Sequence, residues 1–159
     1  MKKDPILFYE HEFYVCSNFS SFEVEYKGET WKTAEHAYQA SKYEDDEIRK
    51  SIQRARSSHD AMKIAKNMHS DKKRNDWYEV KLNIMEEICR AKLSQHFYVQ
   101  KKLLQTEDRD LIENSPRDSF WGWGENKNGE NNLGKIWMKL REELKTDEIK
   151  KLHEDPSFQ

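Results

Sequence analysis

Trp31-Lys32-Thr33-Ala34-Glu35-His36-Ala37-Tyr38-Gln39-Ala40-Ser41-Lys42 places an acid, an imidazole, an amide and an amine within one short segment. Thr33 is a favoured N-cap residue, and the residues after it read as a helix. Helical spacing then brings Glu35, His36, Gln39 and Lys42 to neighbouring positions on one face. Ala34, Ala37, Tyr38 and Ala40 fill much of the remaining circumference with small or aromatic groups, so the segment packs closely while keeping its polar face. That composition suits a catalytic wall better than an ordinary solvated helix. An acid in the first turn is also what the helix macrodipole favours, so Glu35 has a structural reading beside the chemical one.

Toward the N-terminus the period changes. Phe22, Val24 and Tyr26 alternate with Glu23, Glu25 and Lys27, the pattern of a half-buried strand, and Lys27-Gly28-Glu29 turns the chain. Phe8 to Ser17 is rich in aromatic and β-branched residues and reads as a further short strand, separated by the turn-prone Ser17-Asn18-Phe19-Ser20-Ser21. Toward the C-terminus, residues 45 to about 68 form two short helices broken near Ser57-Ser58, with Ser58 as a cap. Asn75 or Asp76 caps a long helix in which Trp77, Val80, Lys81, Ile84, Met85, Ile88 and Ala91 recur at helical spacing as far as about Gln95. Another helix covers about Phe97 to Gln105. Residues 118 to 134, dense in Gly, Asn and Trp, read as an ordered loop with unusual backbone angles. Leu133, Ile136, Trp137, Leu140 and Leu144 mark a final amphipathic helix, and the polar stretch 146–159 reads as a tail. No internal repeat is present.

The chain has 159 residues, the length of one domain, here taken as 1–145 followed by the tail. Charged residues, at 36%, slightly outnumber hydrophobic ones, at 35%, so the core must come from 5 Trp, 7 Tyr and 7 Phe. The net charge of -2 excludes a global field for nucleic acid or an anionic membrane, so any anion site is local. A local excess does occur between Arg49 and Arg74, with nine Lys or Arg against two Asp. A solvated helical face accounts for most of these nine; phosphate is the anion the rest would hold. No stretch approaches the roughly 18 apolar residues of a membrane span, and no signal peptide follows Met1, which predicts a cytoplasmic protein without membrane partners. Cys16 and Cys89 read as reduced thiols.

Six histidines invite a metal, but they never fall at i, i+4 around a Glu and none pairs with Cys, so no metal site is expected. Nucleophile elbow, Walker loop and dinucleotide fingerprint are missing too, and no cofactor is implied. Acid and amine chemistry remains. Glu35 and Asp118 are the candidate carboxylates for cleaving a C1 to heteroatom bond, one protonating the leaving group and one supporting the oxocarbenium ion or activating water. Trp121 and Trp123, in the loop that Asp118 opens, suit stacking on a planar base. Structural tryptophans and a capping Asp would give the same pattern.

Five motifs occur in order along the chain: Ser17-Asn18-Phe19; Gly28 to Lys42, as G-x-x-W-x-T-x-E-H-x-x-Q-A-x-K; Trp77, Lys81 and Met85; Asp118, Trp121 and Gly122; and Gly129, Asn131, Leu133 and Gly134. With these the chain resembles the NADAR, or YbiA-like, family over residues 7 to 145. The resemblance implies an α+β fold, mainly helical, with a small antiparallel sheet. It also implies an N-glycosidase that hydrolyses ribosylamino-pyrimidine phosphates, intermediates of riboflavin biosynthesis, releasing ribose 5-phosphate. Related members act on ADP-ribose derivatives, including ADP-ribose on guanine or nucleic acid, and a non-catalytic ADP-ribose or nucleotide-binding module is a third reading. The expected partner is therefore a phosphoribosylated small molecule or an ADP-ribosylated nucleobase, with no obligate protein partner. Two positions depart from the family pattern: Trp123 stands where riboflavin-type members have an acid, and Ala65 where Gly is expected.

That chemistry assigns each candidate a role. Glu35 is the general acid and base, Asp118 supports positive charge, and Lys42 orients Glu35, holds phosphate or, as a neutral amine, attacks the opened C1 to form a Schiff base. Asn18, His36 and Gln39 are candidate contacts to the sugar or base, with the two amides as donors. Arg54, Lys66 and Lys81 are candidate phosphate ligands; surface charge is the plain alternative for Arg54 and Lys66. Trp121 and Trp123 complete the substrate-binding set.

Overall fold

The computed structural model describes residues 3–9 and 11–146. In chain order its strands are β1 (Ile6–Phe8), β2 (Val24–Tyr26), β3 (Glu29–Trp31) and β4 (Leu111–Glu113). Its α-helices are α1 (Ala34–Ala40), α2 (Asp46–Gln53), α3 (Ser58–Lys63), α4 (Trp77–Gln95), α5 (Phe97–Gln105) and α6 (Asn132–Lys145). The fold is α+β and mainly helical, with one antiparallel and one parallel strand pair among the described residues. These elements pack as two compact units, one of Asn18–Lys92, the other of the residues up to Ser17 with those from Leu93 onward.

In the Asn18–Lys92 unit, Lys27 and Gly28 both take positive φ, 51° and 80°. That is the two-residue turn whose twist matches an antiparallel hairpin, and glycine supplies the second position at no steric cost. The hairpin follows directly, with β2 on β3 in the register Val24 to Trp31, Glu25 to Thr30 and Tyr26 to Glu29. Val24 and Trp31 point inward, at 0% and 1% exposure, which seats the start of α1 against the core. Every residue of α1 is buried. A helix of 7 residues is too short to persist alone, so this burial and its cap hold it. Ser57, one residue before the expected Ser58, caps α3 by accepting the Asp60 N–H at 3.1 Å. After α3 the chain widens into a π-helical turn, Ile64–Met68. The start of α4 lacks the expected side-chain cap: the Asp76 carboxylate pairs with Arg74 at 2.6 Å, and the Asp76 carbonyl accepts from Glu79 and Val80.

In the other unit, β1 pairs with β4 in parallel, Ile6 to Leu111, Leu7 to Ile112 and Phe8 to Glu113. The expected strand over Phe8 to Ser17 is corrected here: His11–Cys16 forms a 3-10 segment. Three residues of β4 leave nothing for a longer strand to pair with, so the backbone bonds locally, as in Ser17 N–H to the Tyr14 carbonyl at 2.8 Å. Helix α6 packs on β4 through Gly134, where a Cβ would lie 2.1 Å from the Leu111 carbonyl oxygen. Asn131, left-handed at φ 52°, fastens the junction by accepting the Glu113 N–H and donating to the Leu111 carbonyl, each at 2.9 Å. Trp137 is fully buried and donates its indole N–H to the Cys16 carbonyl at 2.9 Å. Cys16 and Cys89 are both buried, and neither is in a disulfide. The expected tail lies outside the described residues from 147 onward.

Candidate functional site

Helix α1 presents the polar face its spacing dictates. Glu35 is 6% exposed, and its Oε1 accepts the Gln39 Nε2–H at 2.7 Å. The Glu35 backbone N–H donates to the Asn18 carbonyl at 3.0 Å, so the loop before β2 closes over the same acid. Asn18 is itself buried and turns its Nδ2 toward Met85 Sδ at 3.2 Å. Gln39 Oε1 and Asn18 Oδ1 are buried acceptors with no partner among the described residues.

His36 has a different setting on this helix. It is fully buried, its Nε2 lies 3.0 Å from the Ala55 carbonyl and its Nδ1 2.8 Å from Thr33 Oγ1. A carbonyl can only accept, so Nε2 carries the proton and the Thr33 hydroxyl donates to Nδ1. Thr33 Oγ1 in turn accepts the His36 backbone N–H at 3.2 Å and lies 2.9 Å from the Ser58 hydroxyl. Burial lowers the His36 pKa, which keeps the ring neutral, as this network requires. His36 Nε2 ties α1 to the Ala55 turn, and the Thr33 hydroxyl, through Ser58, ties it to α3.

One turn beyond Gln39, the Lys42 amine lies against two rings that touch each other. Its Nζ lies 5.3 Å from the Tyr38 ring centre and 5.9 Å from that of Trp77, and those rings meet each other at 5.3 Å. Burial pushes the Lys42 pKa down to about 8; Glu35 pulls it up, and Lys73, Lys81 and Lys66 push it further down. A carboxylate and three further ammonium groups therefore share one electrostatic neighbourhood with this amine. Two long-range bonds place them. Tyr43 Oη donates to the Ala65 carbonyl at 3.0 Å, next to Lys66, and the Arg74 N–H donates to the Lys42 carbonyl at 2.7 Å, next to Lys73. An open cleft of about 390 Å³ adjoins Lys73, lined also by Glu44, Asp45, Lys72, Arg74 and Asp76.

The structure thus gathers Asn18, Glu35, Gln39, Lys42, Lys66 and Lys81. Arg54 is not among the charges acting on Lys42; it is exposed at the end of α2, where its carbonyl accepts from Lys32 Nζ at 3.3 Å. Lys73 is missed by sequence reasoning, although the run Lys72-Lys73-Arg74 beside the long helix is its signal. The ring partners of Lys42 are legible in sequence only as an aromatic filler at Tyr38 and a member of the long helix's stripe at Trp77.

Asp118, Trp121 and Trp123 lie in the other unit. Asp118 Oδ1 accepts the backbone N–H groups of Phe120 and Trp121 at 2.9 and 2.8 Å, an Asx turn that shapes the loop. Trp121 is 8% exposed and stands edge-on to Phe120 at 4.8 Å. Trp123 is half-buried, donates its indole N–H to Asn114 Oδ1 at 2.9 Å and carries Lys127 Nζ at 5.6 Å from its ring. With Pro116, Arg117 and Ser119 it lines a cleft of about 480 Å³. Among the described residues no cluster of His, Cys, Asp and Glu is arranged to hold a metal ion, and no helix is long and apolar enough to cross a membrane.

The NADAR domain profile matches residues 7–145. A Vibrio vulnificus protein named a riboflavin biosynthesis protein is 36% identical over 146 residues, 89% of this chain, which spans only 39% of that protein. N-glycosidase YbiA of Shigella boydii serotype 4 is 38% identical over 128 residues, covering 80% of this chain and 79% of the relative. The NMR structure of the Escherichia coli protein YbiA superposes with a TM-score of 0.82 at 34% identity, over 94% of this chain and 89% of that one.

Proposed function

Because this chain belongs to the NADAR family, we propose that it is an N-glycosidase, a hydrolase that cleaves the C1–N bond of ribosylamino-pyrimidine phosphates and releases ribose 5-phosphate. The relative named N-glycosidase YbiA supports the reaction class, and the one named a riboflavin biosynthesis protein supports the choice of substrate. The observation that carries the chemistry is the Lys42 amine, with a pKa of about 8, between Glu35 and three further lysines.

A glycosylamine opens to an imine at C1, and a neutral amine attacks such a carbon. With a pKa of about 8, roughly one Lys42 amine in ten is neutral at pH 7, against roughly one in three thousand for an ordinary lysine. The Lys42 lone pair forms a bond to C1. Glu35, a carboxylate at rest, takes the proton that frees the Lys42 lone pair and passes it to the departing nitrogen, which takes its second proton from the attacking Lys42 nitrogen; its bond to C1 breaks as Lys42 forms a protonated Schiff base. Glu35, now a carboxylate, removes a proton from water as that water adds to C1. Collapse of this adduct frees the aldehyde form of ribose 5-phosphate and restores the Lys42 amine. Lys66, Lys73 and Lys81 supply positive charge for the phosphate, a local site in a chain of net charge -2. In the simpler variant Glu35 works by general acid and base catalysis alone and Lys42 only orients it.

Incubation with a ribosylamino-pyrimidine phosphate and, separately, with ADP-ribosylated guanosine is followed by mass spectrometry for ribose 5-phosphate and ADP-ribose. The first product is expected; ADP-ribose alone would transfer the activity to the second substrate class. Borohydride added during turnover is expected to fix a ribose phosphate adduct on Lys42, and turnover without that adduct would leave only the simpler variant. Glu35→Gln is expected to lose roughly 10²–10⁴ in kcat. Wild-type turnover in that variant would sink both.

A further inference from the structure

The orphaned oxygens beside Glu35 have a definite chemical sense. Gln39 is 5% exposed and Asn18 is 8% exposed, so both amides are held out of water. A carboxylate only accepts hydrogen bonds, so the Gln39 contact to Glu35 at 2.7 Å must come from its NH₂ group, and this fixes which end is which. Gln39 Oε1 then faces away from the acid with no partner among the described residues. Asn18 repeats the arrangement, with Nδ2 on Met85 Sδ and Oδ1 without a partner. The two residues meet at Glu35, one through its side chain and one through its backbone carbonyl. Buried acceptors are rarely left unpaired in a folded protein, and here two occur on the two residues bonded to Glu35. Whatever docks there must bring hydrogen-bond donors.

From this polarity we infer that Gln39 Oε1 and Asn18 Oδ1 accept from the vicinal hydroxyls of the sugar, so that the site selects ribose over deoxyribose. This reverses the donor role that residue type alone assigned to the two amides. It rests on the proposed N-glycosidase reading for the class of sugar; the acceptor polarity is independent of the reaction. A base ring carbonyl offers no donor; the N–H groups of the base and the two adjacent hydroxyls of the sugar both do, and removing one hydroxyl tells those sources apart. A site built to bond a hydroxyl also rejects the analogue lacking it more strongly than an apolar pocket rejects an added group, because its own polar atom is then stranded.

Binding tests this without relying on turnover. Ribose 5-phosphate, 2-deoxyribose 5-phosphate and 3-deoxyribose 5-phosphate are titrated by calorimetry into the wild-type chain and into Gln39→Met and Asn18→Leu, two near-isosteric variants whose folding is checked by circular dichroism. The wild type is expected to bind ribose 5-phosphate roughly tenfold more tightly than at least one deoxy sugar, and that ratio is expected to fall below about twofold in one or both variants. Equal affinities in the wild type, as expected if water fills both acceptors, would overturn the inference. So would discrimination that survives in both variants, or no binding of any of the three sugars. If both variants fail to fold, binding to the wild type decides by itself: a tenfold preference supports the inference and equal affinities reject it. Discrimination without turnover of any glycosylamine would instead keep the inference and remove the N-glycosidase reading.

Discussion

Lys42 is where a single proton ties stability to chemistry. Its folded pKa, about 8, lies below the ordinary lysine value of 10.5, so the unfolded chain holds this proton more tightly. Below pH 8 the amine is charged in both states and its burial cost is fully present. As pH rises from about 8 to 10.5 the folded state sheds the proton first, and stability increases. Lys42→Met should therefore be more stable than the wild type at pH 7, on the order of 1–3 kcal/mol, and the gap should close by about pH 10. Paired urea titrations at the two pH values measure it. The same group sets the activity profile: kcat/KM should rise through an apparent pKa near 8. Glu35 holds the Lys42 pKa up, so any residual limb in Glu35→Gln should move to lower pH.

At the scale of the element, α1 depends on contacts outside itself. Thr33 caps it, and His36 ties it to Ala55, nineteen residues on. Thr33→Ala removes the cap acceptor and the donor to His36 together, and should cost about 1–2 kcal/mol in chemical denaturation. His36 adds an acid dependence of fixed sign. Its folded pKa lies below the ordinary histidine value of 6.5, so its contribution is present above pH 6.5 and is lost as pH falls below it. The wild type should thus lose more stability between about pH 7 and pH 5.5 than His36→Gln does. The cap could be read from sequence, because Thr33 and the residues it serves are three apart. The Ala55 carbonyl could not, because nothing local marks a carbonyl as the partner of a distant ring.

Across the whole molecule, the two units differ in how much of them is legible in sequence. The Asn18–Lys92 unit is assembled from neighbours in sequence: a two-residue hairpin, a helix directly after it and two short capped helices. The other unit joins segments about a hundred residues apart, β1 to β4 and Trp137 to Cys16. Its tightest seam is Gly134 on β4. Gly134→Ala should lower stability by about 2–3 kcal/mol, since neither a strand carbonyl nor the Asn131 side chain can retreat without breaking their mutual bond. Thermal unfolding followed by tryptophan fluorescence reports it through Trp137.

Sequence by itself determined the helices, whose 3.6 period needs only neighbours, the β2 strand and the turn after it, and the face that carries Glu35, Gln39 and Lys42. Helical geometry makes residues four and seven apart adjacent whatever surrounds them. Tertiary structure alone decided the parallel β1–β4 pair and the 3-10 course of His11–Cys16, because strand pairing depends on a distant partner and its length. It also decided that Lys73 joins the charges on Lys42, that His36 has both nitrogens bonded, and that the Gln39 and Asn18 oxygens are left as acceptors. Each of these is a matter of burial and long-range pairing, which fix proton affinity and hydrogen-bond polarity only after the chain has folded.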